Sequence, residues 1–154
     1  MIVIEGSKWK YWIGILSSLF LGMTFIVAGM GKWFAGVVEF ELLAFPSFLP
    51  APLATAFFTW LPRVELVIGI ALVVGVAVKF ATCLSLPLIA GFTINNFILF
   101  TRGLGNNPCG CFGMGNKMSV EGSLYLDSVM IACAIMILLY HRGKFFNKKP
   151  WFWR

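Results

Sequence analysis

The chain of 154 residues has a suitable length for one domain but is too apolar for a soluble protein. Apolar residues make up 60% of it and charged residues 12%, whereas a soluble domain carries about 25% charged residues. The net charge of +6 would suit nucleic acid, but the basic residues lie mainly at the chain ends beside apolar runs, as cytoplasmic membrane anchors do. We therefore expect an integral membrane protein in contact with the lipid bilayer, and no nucleic-acid partner.

Four apolar runs predict four transmembrane helices. The first run follows Lys8 and Lys10 and exceeds the apolar part of a signal peptide, which indicates a retained helix. A loop rich in proline then leads to the second run, where Pro62 predicts a kink or the true helix start. A short turn around Lys79 joins the second run to the third. The predicted spans are residues 9–34, 53–79, 81–101 and 123–141.

The distribution of basic residues predicts the orientation of the bundle. Four spans put both termini on one side of the membrane, together with Lys8, Lys10, Lys79 and the basic tail after His141. The positive-inside rule makes that side cytoplasmic. The predicted fold is all-α, a transmembrane four-helix bundle formed by residues 1–154 as one domain. We expect it in the cell (inner) membrane, with the loop before the last helix outside.

That external loop contains Asn107-Pro108-Cys109-Gly110-Cys111-Phe112-Gly113, the stretch best suited to chemistry. Proline and glycine around the cysteines predict a tight turn, for which Gly110 supplies the backbone freedom. A disulfide closed across one residue would be strained, and strained disulfides are easily reduced. Disulfides persist outside the cytoplasm. Cys109 and Cys111 are therefore interpreted as a redox couple, or as two thiols that meet a partner's disulfide.

Other site chemistries find weaker support. Two loop cysteines without nearby histidines are too few for a structural zinc site, so no metal is predicted. Met114 beside the cysteines leaves copper(I) as a minor alternative. Cys83 and Cys133 fall within spans at different depths, so we interpret them as packing residues and expect no bridge between them. The sequence has no phosphate-binding glycine loop, Ser-His-Asp set or haem-attachment motif.

Polar residues recur at one predicted depth in all four spans. Counting ~1.5 Å per residue across a ~30 Å apolar core places Glu65 about 7 Å inside the outer boundary. The residues at or near this depth are Lys32, Arg63, Glu65, Asn95, Asn96 and Asp127. An ionisable group within a span normally faces the bundle interior with a partner. Two interpretations stay open: a structural network that fixes helix register, and a proton relay or quinone head-group site beneath the cysteine loop.

Several motifs resemble those of the DoxX/MauE group of small four-helix membrane proteins. They are Ala28-Gly29 followed by Lys32, Pro62-Arg63-Val64-Glu65 with Gly69, and Cys109-Gly110-Cys111-Phe112-Gly113 ahead of the last span. The likeness extends over nearly the whole chain and is greatest to the methylamine-utilisation MauE branch. In that branch an Arg-Asp pair often opens the last helix, whereas here Leu126 precedes Asp127. The resemblance implies a link to maturation of a disulfide-rich periplasmic enzyme, or to quinone-coupled or thiol-linked membrane oxidoreductases.

Two functional hypotheses follow, and enzymatic turnover is left open between them. In the first, Cys109 and Cys111 exchange with a periplasmic thioredoxin-like protein or substrate, and electrons pass to or from quinone near the polar residues. In the second, the chain is a non-catalytic accessory or assembly subunit of a larger membrane complex, with the cysteines as a structural staple. A transporter is disfavoured, because four spans without an internal repeat are a poor frame for alternating access.

Overall fold

The computed structural model describes three stretches of the chain, residues 5–35, 51–106 and 118–140. Four α-helices make up nearly all of them: α1 (Glu5–Ala35), α2 (Ala51–Val74), α3 (Val78–Thr101) and α4 (Val120–Tyr140). The predicted all-α architecture is confirmed. Pro62 lies inside α2, so the helix does not begin there, which was one of the two predicted alternatives.

Length and composition suit these helices to a membrane. Three segments are long and apolar enough to cross it, Trp12–Phe34, Val78–Thr101 and Val120–Tyr140. The remaining helix, α2, has 24 residues and packs along α1. Large apolar side chains such as Val67 and Leu139 are exposed along the bundle, which suits a surface that faces lipid. The predicted transmembrane four-helix bundle is thus confirmed, while the side on which each terminus lies stays a prediction.

The contacts between α1 and α2 establish that the two helices are antiparallel. Ser18 Oγ donates a hydrogen bond of 2.8 Å to the carbonyl oxygen of Leu72. Further along α1, Gly22 faces Gly69, so the partner residue number falls as the α1 number rises. A Cβ atom added at either glycine would lie 2.8 Å from the other's carbonyl oxygen. The two backbones therefore touch where both residues lack a side chain.

The four helices close into an up-and-down bundle. α1 packs against α2 and α4, and α3 packs against the same two helices. Short connections between consecutive antiparallel helices are typical of this topology. The apolar core contains the fully buried side chains of Leu21, Leu72 and Ile137, together with Phe25 and Ile89.

The turn between α2 and α3 lies earlier than the sequence predicts. α2 ends at Val74, because Gly75 adopts a φ of 81° and the amides of Gly75 and Val76 both donate to the carbonyl oxygen of Ala71 at 3.0 Å. This is a glycine-terminated helix end of the Schellman type. Ala77 precedes α3 with a φ of 47°, and Lys79 is already helical. The expected turn around Lys79 is therefore wrong by about one helical turn.

A similar helix end lies at the base of the cysteine loop. Gly103 has a φ of 79°, and the amide of Leu104 donates to Leu99 at 3.1 Å, which closes α3. The amide of Glu121 then donates to the carbonyl oxygen of Gly105 at 3.2 Å. This hydrogen bond joins the two ends of the connection between α3 and α4. Residues 107–117 of that connection, and with them the predicted turn, lie outside the described residues.

Candidate functional site

An ion pair between α1 and α2 forms the first half of a buried polar site. Lys32 Nζ lies 2.5 Å from Glu65 Oε1, and the residues are only 4% and 0% exposed. The helices come close enough for this contact because Gly29, one turn before Lys32, has no side chain to separate α1 from the Pro62 carbonyl. The ammonium also lies over the ring of Phe92, 4.1 Å from its centroid. Lys32 is therefore held by a carboxylate and by an aromatic face.

A hydrogen bond between α3 and α4 forms the second half. Asn96 Nδ2 donates to Asp127 Oδ2 at 3.1 Å, with both residues buried. The hydroxyl of Thr93, one turn before Asn96, lies beside the same carboxyl group. Asp127 thus has a neutral amide as its hydrogen-bond donor, whereas Glu65 has a cation. The two carboxyl groups meet different electrostatic environments.

The two halves face one small cavity. Lys32, Glu65 and Asp127 supply its charged lining, and the other lining residues are Thr24, Phe25, Ala28, Ile89, Phe92 and Met130. Its volume of about 20 Å³ is room for about one water molecule. Among the described residues, Glu65 Oε2 is buried without a hydrogen-bond partner. The cavity is a polar site too small for a quinone ring, so a quinone head group does not fit within the layer in this structure.

The structure separates the six residues predicted to share this depth. Lys32, Glu65, Asn96 and Asp127, which we call the polar layer, lie in the two buried contacts described above. Asn95 is half-buried, and its Nδ2 has no partner among the described residues. One residue along a helix rotates a side chain by ~100°, so Asn95 does not share the inward direction of Asn96.

Arg63 does not belong to the buried layer, and its predicted place there is wrong. Its side chain is exposed, with the guanidinium over the rings of Trp60 at 4.8 Å and Trp33 at 5.6 Å. Residues two apart on a helix point in nearly opposite directions, so Glu65 turns inward where Arg63 turns outward. Arg63 and the two tryptophans instead make an exposed cation–aromatic cluster near the ends of the helices.

Sequence reasoning missed three residues of the site. Phe92 and Thr93 lie one turn before Asn96 on the same face of α3, and Ser123 lies one turn before Asp127 on α4. Ser123 Oγ is buried without a partner among the described residues. The spacings of three and four residues from a polar position would have indicated all three.

The cysteines divide into two groups. Cys109 and Cys111, with Gly110 between them, lie outside the described residues, so their pairing stays a prediction. Cys83 and Cys133 are free, as the sequence predicts. Cys133 lies half-buried beside Ser17 of α1, and Cys83 is exposed on α3. Within the described stretches, no three His, Cys, Asp or Glu side chains come together as metal ligands would.

Comparison with known protein families gives one match. The family model described as methylamine utilisation protein MauE matches residues 10–140. This range extends over most of α1, all of α2, α3 and α4, and the cysteine loop. Neither the curated proteins nor the solved structures contain a significant match.

Proposed function

The chain belongs to the MauE family, and from this premise we propose that it takes part in extracytoplasmic thiol–disulfide exchange through Cys109 and Cys111. It would act as a multi-pass protein of the inner membrane, with the cysteine loop outside. The observation that carries the proposal is that the polar layer lies at the end of the bundle from which this loop extends. A paired polar layer just below two cysteines is the arrangement expected where thiol chemistry is coupled to the bundle.

The distance between layer and loop supports this reading. Asn96 precedes the end of α3 at Thr101, and Asp127 follows the start of α4 at Val120. At 1.5 Å per residue, both side chains lie about 8–10 Å below the helix ends. The hydrogen bond from Glu121 to Gly105 keeps the ends of the loop together above them. The cysteines are thus tethered to the bundle near the layer.

The proposed chemistry is an exchange of one disulfide for another. The thiolate of one loop cysteine attacks a partner's disulfide, which forms a mixed disulfide and releases one partner thiolate. The second loop cysteine then attacks the mixed bond, forming the Cys109–Cys111 disulfide and releasing the other partner thiolate. The partner gains two electrons and the loop loses two, and the reverse sequence oxidises the partner. A periplasmic thioredoxin-like protein or a disulfide-containing substrate would serve as the partner.

Trapping the mixed disulfide tests this proposal. A Cys109→Ser or Cys111→Ser variant removes the resolving thiol, so one of the two should accumulate adducts in cells that dissolve on reduction. Cys83→Ser is the matched control, because it removes an exposed thiol of α3 and leaves the loop intact. Adducts should be absent from this control. If neither loop variant forms an adduct while both are present in the membrane, the exchange proposal fails.

An accessory or assembly subunit is the second candidate, and the cavity favours it. A volume of about 20 Å³ leaves no room for an organic substrate inside the layer. Under this alternative, a Cys109→Ser/Cys111→Ser double variant should still co-purify with the same membrane partners and support their assembly. Loss of partner maturation in the double variant, with normal co-purification, would favour the exchange function instead.

A further inference from the structure

We propose that the polar layer is a proton-binding site, in which Asp127 carries one proton and a single water molecule bridges it to Glu65. The inference goes beyond the proposed function and does not rest on it. It depends on the charges and cavity of the bundle, and would hold whether or not the loop cysteines exchange disulfides.

The charge count of the layer is the first step. Lys32 of α1, Glu65 of α2 and Asp127 of α4 line the cavity, whereas Phe92 and Asn96 bring only neutral groups from α3. All three ionisable residues are buried, with exposures of 4%, 0% and 8%. Fully ionised, they would carry a net charge of −1 in an apolar interior, which is strongly unfavourable. One added proton makes the layer neutral.

The hydrogen bonds indicate where that proton lies. Glu65 is paired with the ammonium of Lys32 through Oε1, which stabilises its ionised form. Asp127 receives a hydrogen bond from the neutral amide of Asn96 at Oδ2. A protonated carboxyl group can accept at one oxygen and donate from the other. Asp127 is therefore the residue that can carry the proton without breaking a described contact.

The cavity supplies the bridge. Glu65 Oε2 is fully buried, has no partner among the described residues, and belongs to a side chain that lines the cavity. A buried water needs two to four polar partners. Here it would accept from protonated Asp127, donate to Glu65 Oε2 and lie within the same cavity as Lys32. Such a water gives the proton a path between the two carboxyl groups.

Infrared spectroscopy of the purified protein in lipid tests the charge count. The wild type should show one carbonyl band of a protonated, buried carboxyl group that shifts on deuteration. Asp127→Asn should lose it, because Lys32 and Glu65 then balance each other. Glu65→Gln should lose it as well, because Lys32 then balances an ionised Asp127. Lys32→Met should add a second band, and the two amide variants decide the question if that protein does not fold.

Controls separate this inference from its competitors. Glu121→Gln removes an exposed carboxylate from the first turn of α4 and should leave the band unchanged. The Cys109→Ser/Cys111→Ser variant should also keep it, so failure of the exchange proposal would not remove the band. A band that persists in Asp127→Asn would overturn the assignment. A band that disappears on adding Na⁺ at constant pH would mean that the site binds a metal cation instead.

Discussion

The buried ion pair makes Lys32 and Glu65 dependent on each other. Each side chain is almost completely withdrawn from solvent, and each is the other's counter-charge at 2.5 Å. The net stabilisation from such a pair is small, because desolvation of the two charges offsets their attraction. Removing one partner is different, since it leaves the other charge buried and uncompensated.

We therefore expect Glu65→Leu to lower the free energy of unfolding by ~3–5 kcal/mol, and Lys32→Met/Glu65→Leu to recover most of that loss. Denaturant unfolding in detergent, followed by helicity, measures both. Val67→Leu is the matched control, because it places the same side chain on the exposed face of α2 and should be nearly neutral. Equal stability of Glu65→Leu and Val67→Leu would mean that Lys32 finds another partner.

The loop cysteines give a second residue-scale prediction. A disulfide between Cys109 and Cys111 should have a reduction potential well above about −300 mV, below which structural disulfides typically lie. Gly110→Val should favour the reduced form, because a β-branched residue resists the tight turn that brings the two sulfur atoms together. A redox titration read by alkylation and mass measures both proteins. A potential below about −300 mV would identify a structural staple.

The members of the polar layer were predictable from the sequence as to type and depth, but not all as to direction. Depth follows from counting residues along each span, and this brought Lys32, Glu65, Asn96 and Asp127 together correctly. Direction depends on helix rotation, which ruled out Arg63 and set Asn95 apart from Asn96. The size of the cavity depends on how Phe92 and its neighbours pack, and no pattern in the sequence encodes that volume.

At the scale of elements, the contact between α1 and α2 depends on two glycines. The added Cβ at Gly69 would meet the Gly22 carbonyl oxygen and Ile26 Cγ1, both at 2.8 Å. Because backbone atoms are involved, a rotamer change alone cannot relieve the overlap. The sequence indicated this contact only on the α1 side, through small residues at helical spacing. The ends of the helices were less predictable, since Gly75 and the φ of 47° at Ala77 fix the turn before Lys79.

Gly69→Ala should lower the free energy of unfolding by ~1–3 kcal/mol, because the helices must move apart to admit the methyl group. Gly91→Ala is the matched control. It lies on α3, is exposed, and an added Cβ would have no atom within 4 Å. Thermal unfolding in detergent compares the two proteins. If Gly69→Ala is as stable as Gly91→Ala, α1 and α2 are not packed backbone to backbone.

At the scale of the whole molecule, the bundle separates a charged interior from an apolar exterior. Lys32, Glu65 and Asp127 face inward, while Trp12, Val67 and other large apolar side chains cover the outside. The family match and the apolar helices establish a multi-pass membrane protein. Its orientation rests on the distribution of basic residues alone, because both chain ends lie outside the described residues.

We expect a membrane-impermeant thiol reagent to label Cys109 and Cys111 in intact, reduced cells, because the positive-inside rule puts their loop outside. The Cys109→Ser/Cys111→Ser variant should stay unlabelled, since Cys83 and Cys133 lie within the membrane-spanning helices. Labelling of the wild type only after the membrane has been opened would reverse the orientation and place the cysteines in the reducing compartment.

The pairing of Lys32 with Glu65 also bears on how the newly made chain enters the bilayer. α1 is synthesised first, and until α2 follows, the ammonium of Lys32 near its end has no counter-charge in the apolar phase. Consecutive antiparallel helices that touch at Gly22 and Gly69 can cross into lipid as one hairpin with its charges neutralised. We therefore expect α1 to stay beside the insertion machinery until α2 has emerged. Truncation before Glu65 should then prolong crosslinking of α1 to the translocon.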